Sequence, residues 1–226
     1  MNVAIIVAAG RGERAGGGRA KQFREVSGTP IIIHTLSRFE RCRSIAEVVV
    51  VVPAGSAAET LALARRHGIG KVAGAVEGGA TRAESVRRGF EAAGEEAKVV
   101  AVHDGVRPFV TPDEIDRVVR EAEVTGAAIL AARAVDTVKE VEGGRVVTTP
   151  DRARLWLAQT PQCFRLELLR RAYELVPGGG AAFTDCSALV ERLGVTVAVV
   201  EGGPHNIKIT TPLDFALAEI MTRDYQ

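Results

Sequence analysis

Apolar residues in this chain cluster in unbroken runs rather than alternating with polar ones. Val3–Ala9, Val48–Val52, Val99–Val102 and Ala127–Ala132 hold no charged side chain. Such runs read as strands buried on both faces, because a half-exposed strand would alternate. Helix signals fall between them. Thr29-Pro30 offers an N-cap and a proline at the first helical position, for a helix through about Cys42. Ser56-Ala57-Ala58-Glu59 and Thr81-Arg82-Ala83-Glu84 are capping boxes, opening helices to Gly68 and to about Ala93. Thr111-Pro112-Asp113-Glu114 caps a further helix, and Thr184-Asp185 begins one toward Leu193. This alternation predicts an α/β fold, a Rossmann-like three-layer sandwich with a mainly parallel sheet and right-handed crossovers. No linker or repeat divides it, so residues 1–226 read as a single domain.

One stretch departs from the rhythm. Thr137–Thr148 alternates and turns about Gly143-Gly144, a hairpin signature with little core of its own. It predicts a protruding β-hairpin arm over residues 136–159, a dimerisation device or else an edge hairpin of the main sheet.

Composition narrows the function. With 46% apolar and 25% charged residues the chain is ordinary globular protein, and its apolar runs are too short to span a membrane. Three widely spaced cysteines form no CxxC, so neither a disulfide framework nor a zinc cluster is expected, and His34, His67, His103 and His205 lack HExxH spacing. The first nine residues are apolar but no basic stretch precedes them, which argues against a signal peptide and for the cytoplasm. A net charge of +1 and 4% aromatics exclude a nucleic-acid coat with stacking platforms. Residues 1–24 nevertheless carry a local +4 around a glycine-rich segment. A small polyanion suits such a place.

That segment, Ala8-Ala9-Gly10-Arg11-Gly12-Glu13-Arg14-Ala15-Gly16-Gly17-Gly18-Arg19-Ala20-Lys21-Gln22-Phe23, follows the first strand directly. In open α/β sheets ligands bind beyond the carboxyl ends of strands, and glycines there let backbone N–H groups approach phosphate. The glycine spacing is one residue too long for the dinucleotide fingerprint, and no GK[ST] follows, so it is not a Walker loop. Arg14 and Lys21 suit a triphosphate split at its α-phosphorus.

Val7–Arg14 with Lys21-Gln22-Phe23 resembles the signature of sugar-phosphate nucleotidylyltransferases, and among them the 2-C-methyl-D-erythritol 4-phosphate cytidylyltransferases of isoprenoid precursor synthesis. Gly78–Val86, His103–Phe109, Asp136–Lys139 with Thr160-Pro161-Gln162, and Asn206–Thr210 extend the resemblance in order over nearly the whole chain. The resemblance implies CTP and a polyol phosphate as substrates, with Mg²⁺. It gives Arg14, Lys21 and Lys208 catalytic roles on the phosphates, and places the nucleotide against Ala8, Ala9, Gly10, Gly12, Gly79, Ala80, Ser85 and Gly105. Arg82 would support the base-reading loop. Asp104 would meet the magnesium–nucleotide or substrate hydroxyls, and Arg107 would touch substrate or brace its loop. Thr184 would contact substrate or cap its helix. Thr137 and Arg152 would complete the substrate-phosphate site of a neighbouring subunit, making the active unit a homodimer. The fit has departures. Ala20 stands where relatives carry proline, Ala80 where many are polar, and Gly105-Val106 where HDAAR is common. Two competing readings share these blocks: a ribitol 5-phosphate cytidylyltransferase, and a catalytically silent nucleotide-binding subunit.

Overall fold

The structure, a computed structural model, describes residues 1–10, 20–175 and 185–224. Its strands and helices run β1 (Val3–Val7), β2 (Glu25–Val26), β3 (Thr29–Pro30), α1 (Ile31–Arg41), β4 (Glu47–Val52) and α2 (Ala57–Arg66). Next come β5 (Val72–Glu77), α3 (Arg82–Ala92), β6 (Val99–Asp104), α4 (Pro112–Thr125), β7 (Ala127–Arg133), β8 (Glu140–Glu142) and β9 (Arg145–Thr148). The chain closes with β10 (Trp156–Arg165), α5 (Leu166–Glu174), α6 (Cys186–Glu191), β11 (Ala198–Glu201) and α7 (Pro212–Asp224).

Seven strands form one sheet in the order β11-β7-β10-β6-β1-β4-β5. All neighbours are parallel except β10, which runs antiparallel to both β6 and β7. The apolar runs have the cause assigned to them. Ala4 and Ile6, Val48 and Val50, and Ala101 point into one core with α1, α2 and α4. Val3 and Ile5, Val49 and Val51, and Val100 and Val102 point into the opposite core with α3, α5 and α6. Helices therefore cover both faces, giving the three-layer sandwich. Burying each of these Val and Ile side chains contributes about 1.5–3 kcal/mol. A third, smaller core of Val26, Ile31, Val106, Phe109, Ile209, Phe215 and Ala218 seats α7 near the site.

The helix signals hold unevenly. Thr111 and Glu114 make the full reciprocal capping box. Thr81 accepts from the Glu84 N–H, but the Glu84 carboxylate turns to the Ala80 N–H instead, so that box is half made. The Ser56 side chain makes no capping hydrogen bond. Thr29-Pro30 pairs with Glu25-Val26 as a short strand, and α1 starts one residue later, its Ile31 N–H donating to Arg24 O. Asp185 caps α6 through the Ala188 N–H.

The hairpin is a separate two-stranded ribbon, β8 with β9. Its bounds are tighter than 136–159, because the chain rejoins the main sheet at Trp156, opposite Arg133. Lys208 lies on no strand. The segment between β11 and α7 holds no strand and turns at Pro204-His205, and Asp214 ties down its end by accepting from Thr210 N–H, Thr210 Oγ1 and Thr211 N–H.

Candidate active site

A cleft of about 860 Å³ opens at the carboxyl ends of β1 and β6 and is lined by Val7–Gly10, Lys21, Gln22, Gly79–Arg82, Ser85, Asp104, Val106, Lys208 and Thr210. The sequence-predicted residues Ala8, Ala9, Gly10, Lys21, Gly79, Ala80, Ser85, Asp104 and Lys208 are thus brought together. Arg14, Gly12 and Thr184 lie outside the described residues.

Two short devices build the cleft. Gln22, buried in the turn Lys21–Phe23, donates to Ala8 O at 2.6 Å, pinning the far end of the glycine-rich segment to the end of β1. Lys21 Nζ reaches Ile209 O at 3.3 Å, which places it beside the Lys208 segment. On the opposite wall, Gly78 N–H continues the ladder onto Val52 O. A Cβ on Gly78 would overlap Ala9 Cβ and lie 2.7 Å from Ser85 Oγ, so only glycine lets the 78–80 loop close against β1.

Ser85, which lines the cleft, also holds its own loop in shape. Its hydroxyl donates to Thr81 O at 2.9 Å and accepts from Gly79 N–H at 3.1 Å. The Ala80 N–H is likewise taken, by Glu84. The hydroxyl proton is spent on shaping the loop, which leaves backbone carbonyls and one oxygen lone pair for a base. Gly105 is also a packing residue. Its N–H donates to Val7 O, and a Cβ would lie 2.9 Å from both Ala8 Cβ and Ile32 Cδ1. It closes β6 onto β1 and α1 rather than lining the cleft.

Asp104 is the electrostatic centre. Lys208 Nζ stands 2.8 Å from Oδ2, Arg82 3.2 Å from Oδ1 and Arg107 Nε 3.6 Å from Oδ2. Burial opposes ionisation of this carboxyl, but Arg82 first, then Lys208 and Arg107, more than offset it and hold it far below the usual carboxylate range. Both oxygens are engaged by cations, and each keeps a further lone pair. Asp104 supplies one carboxylate amid three positive charges, and among the described residues no group of three or more His, Cys, Asp or Glu could hold a metal. A divalent ion here has to come with the oxygens of a polyphosphate.

Arg82 was expected to support the neighbouring loop. It instead bridges α3 to Asp104, and its other nitrogen contacts Cys186 Sγ at 3.5 Å. Arg107 braces: its guanidinium, largely buried, donates to Asn206 O at 2.7 Å. Thr137 and Arg152 are exposed near the base of the arm, Arg152 donating to Val135 O, and neither lines the cleft of its own chain. Gln22, Arg82 as a partner of Asp104, and Thr210 were not singled out as site residues. Gln22 and Thr210 sit inside blocks already noted, so block membership was the available signal.

A parallel-sheet crest with a glycine-bordered cleft, one carboxylate and several converging cations defines an α/β enzyme of the nucleotidyltransferase class. The family model described as 2-C-methyl-D-erythritol 4-phosphate cytidylyltransferase matches residues 2–224, so the chain belongs to that family. A protein of that name from Geobacillus kaustophilus is 45% identical over 217 residues, covering 96% of this chain and 94% of its own. Another from Geobacter metallireducens is 43% identical over 225 residues, covering 98% and 97%. Among solved structures, 4-diphosphocytidyl-2C-methyl-D-erythritol synthase from Anaerococcus prevotii superposes with a TM-score of 0.87 at 30% identity, over 98% of this chain and 95% of its own. The 2-C-methyl-D-erythritol 4-phosphate cytidylyltransferase of Thermus thermophilus gives 0.78 at 36%, over 99% and 98%.

Proposed function

We propose that the chain transfers the cytidylyl group of CTP to 2-C-methyl-D-erythritol 4-phosphate, releasing pyrophosphate. A phosphate oxygen of the polyol forms the new bond to the α-phosphorus of CTP, and the bond from that phosphorus to the β-phosphate bridging oxygen breaks. The nucleophile is already an anion, so no general base is needed, and the barrier lies in bringing two anions together. The observation that carries the reading is the convergence of Lys21 and Lys208 on the cleft that also holds the Gly79–Ser85 loop and Asp104. In this reading Lys21, with Arg14, holds charge that develops on the transferring phosphoryl group. Lys208 draws the phosphates in, and Asp104 keeps that lysine and Arg82 aimed. The 79–85 loop reads the base through its backbone. The names of the relatives favour methylerythritol phosphate over ribitol phosphate as acceptor.

Mg²⁺ belongs to this reading as part of the nucleotide substrate, held by triphosphate oxygens and neutralising them. The active unit is a homodimer joined by the arm. Its Val141, Val146 and Val147 are more than half exposed, which supports a partner surface there. Thr137 and Arg152 would then serve the partner's acceptor phosphate, for which the planar guanidinium is suited. Among the described residues no helix is long and apolar enough to cross a membrane. Three buried free thiols fit a reducing compartment, and the cytoplasm is the proposed location.

The test is pyrophosphate release from Mg²⁺–CTP with methylerythritol phosphate and ribitol phosphate in parallel. Release with the first alone is expected. Release with ribitol phosphate alone reassigns the acceptor, and release with neither from protein that binds CTP leaves a silent subunit. Mixing Arg152→Ala with Lys21→Ala protein tests the shared site. Recovery of activity above either variant is expected, and no recovery from mixed dimers removes Arg152 from the partner's site.

A further inference from the structure

Glu114 has more partners than a helix cap needs. A capping box asks its glutamate for one bond, back to the N-cap N–H. Oε2 makes that bond with Thr111 N–H at 2.9 Å and also meets the Thr111 hydroxyl at 3.1 Å. Oε1 turns the other way and accepts from Gly203 N–H at 3.1 Å, across 89 positions of chain. His205 Nε2 lies 3.1 Å from Oε2. Burial opposes ionisation of this carboxyl, but Thr111 N–H first, then His205 and Gly203 N–H, more than offset it and hold it below the ordinary glutamate range. A carboxylate only accepts, so His205 Nε2 carries a proton toward it.

These bonds fall where the chain leaves β11 and heads for Lys208. Gly202 N–H makes the last ladder bond, to Ala131 O, and beyond it the segment belongs to no strand. Both backbone polar groups of Gly203 are then taken by side chains, its N–H by Glu114 and its carbonyl by Gln159 Nε2 at 3.0 Å. A Cβ on Gly203 would overlap the His205 ring, so glycine is what lets that ring fold back to Glu114. Ile207 N–H closes the turn on His205 O at 2.7 Å, and Ile209 N–H is held by Val106 O at 2.9 Å. Lys208 lies between these two anchors. Its side chain is 40% exposed, so packing does little to fix the ammonium beside Asp104, and the backbone on either side has to.

We infer that Glu114 is a positioning residue of the transfer reaction, which fixes the backbone carrying Lys208 through Gly203 and His205 while it caps α4. The inference rests on the cytidylyl-transfer reading, in which Lys208 meets the phosphates of CTP.

Two substitutions separate the two tasks. Glu114→Gln can still cap, because its amide oxygen accepts from Thr111 N–H, but its NH₂ then faces Gly203 N–H, donor against donor. Thr111→Ala removes the hydroxyl that caps α4 and leaves the carboxylate to Gly203 and His205. The experiment is steady-state kinetics of both variants with both substrates varied, beside thermal unfolding and hydrogen exchange at the Gly203 N–H. Glu114→Gln should lower kcat/KM for CTP on the order of 10-fold, as misplacement of a binding group does, and leave the KM for the polyol phosphate near the wild-type value. Thr111→Ala should lower Tm and keep kcat/KM for CTP. Exchange at Gly203 should quicken in Glu114→Gln and not in Thr111→Ala. A folded Glu114→Gln with unchanged kcat/KM overturns the inference. So does an equal loss of activity in both variants, which marks capping as the only task. If Glu114→Gln does not fold, Gly203→Ala replaces it, since its methyl displaces the His205 ring while α4 stays capped. The same loss toward CTP is expected there, and wild-type kinetics overturn the inference. Absence of turnover by the wild type with any acceptor counts against the activity reading instead. The exchange rates then decide on the clamp alone, and equal rates in both variants refute it.

Discussion

Lys208 and Asp104 lie 104 positions apart with opposite charges 2.8 Å from each other, although their elements share no strand pairing. The carboxyl is almost fully buried while the lysine side chain keeps 40% of its exposure. The pair is therefore anchored on the aspartate and open on the lysine. Asp104→Asn keeps the shape and removes the charge. It should cost about 3 kcal/mol in urea unfolding, as breaking a buried pair does, and should also lower turnover. Wild-type stability and turnover in the variant would show that the ion pairs do not organise the site.

Lys21 sits in a short turn whose neighbours Gln22 and Phe23, not Lys21 itself, carry the packing. Lys21→Ala should therefore fold normally and lose on the order of 10²-fold in kcat, the usual cost of removing a donor used in the transition state. Rapid-quench measurement of the chemical step checks this, and full activity would exclude the residue from catalysis.

Gly78→Ala tests the close approach of the 78–80 loop. The new methyl collides with Ala9 Cβ, and β1 is held in the middle of the sheet, so the loop must yield. About 1–3 kcal/mol of stability should be lost. CTP affinity, followed by calorimetry, should fall more than affinity for the acceptor. Equal losses for both ligands would mean the loop does not face the nucleotide.

His103 gives the protein a dependence on acid. Burial pushes its pKa down to about 4 from the ordinary 6.5, against smaller opposing effects of the Arg107 carbonyl and the Asp104 charge. Below pH 6.5 the unfolded chain takes up a proton that the folded chain refuses until about pH 4. Stability from this group is thus complete above pH 6.5 and falls as pH drops to 4, by on the order of 3 kcal/mol. Urea midpoints of wild type and His103→Asn across this window should diverge in slope. Parallel curves would place the proton elsewhere.

The strands most visible in the sequence are those buried on both faces, because nothing polar interrupts β1, β4, β6 or β7. β10 was hidden for the opposite reason. Its Gln159, Thr160, Pro161 and Gln162 form no apolar run, yet Gln159, Thr160 and Gln162 are buried and hydrogen-bonded across the site. β5 was hidden by Gly74 and its small neighbours, which give little hydrophobic signal. Of the site, the residues in contiguous blocks were legible. The grip of Arg82 on Asp104 was not, since it depends on where α3 starts relative to the end of β6. Neither was the inward role of Gly105, which only the approach of Ala8 and Ile32 explains.

The antiparallel strand has one more consequence, which concerns the order of synthesis. Among the described residues β7 and β11 join β6 and the strands beyond it only through β10. While residues 1–150 emerge from a ribosome, β1, β4, β5 and β6 can assemble with their helices, but β6 remains an open edge. The N–H of Asp104 and the ring of His103 then have no Thr160 to meet. The centre of charge waits on residues 156–165, which enter between β6 and β7, and then on Lys208. A nascent chain stalled short of that point would hold four of the seven sheet strands and an unformed site, its exposed edge the natural place for a chaperone to hold it.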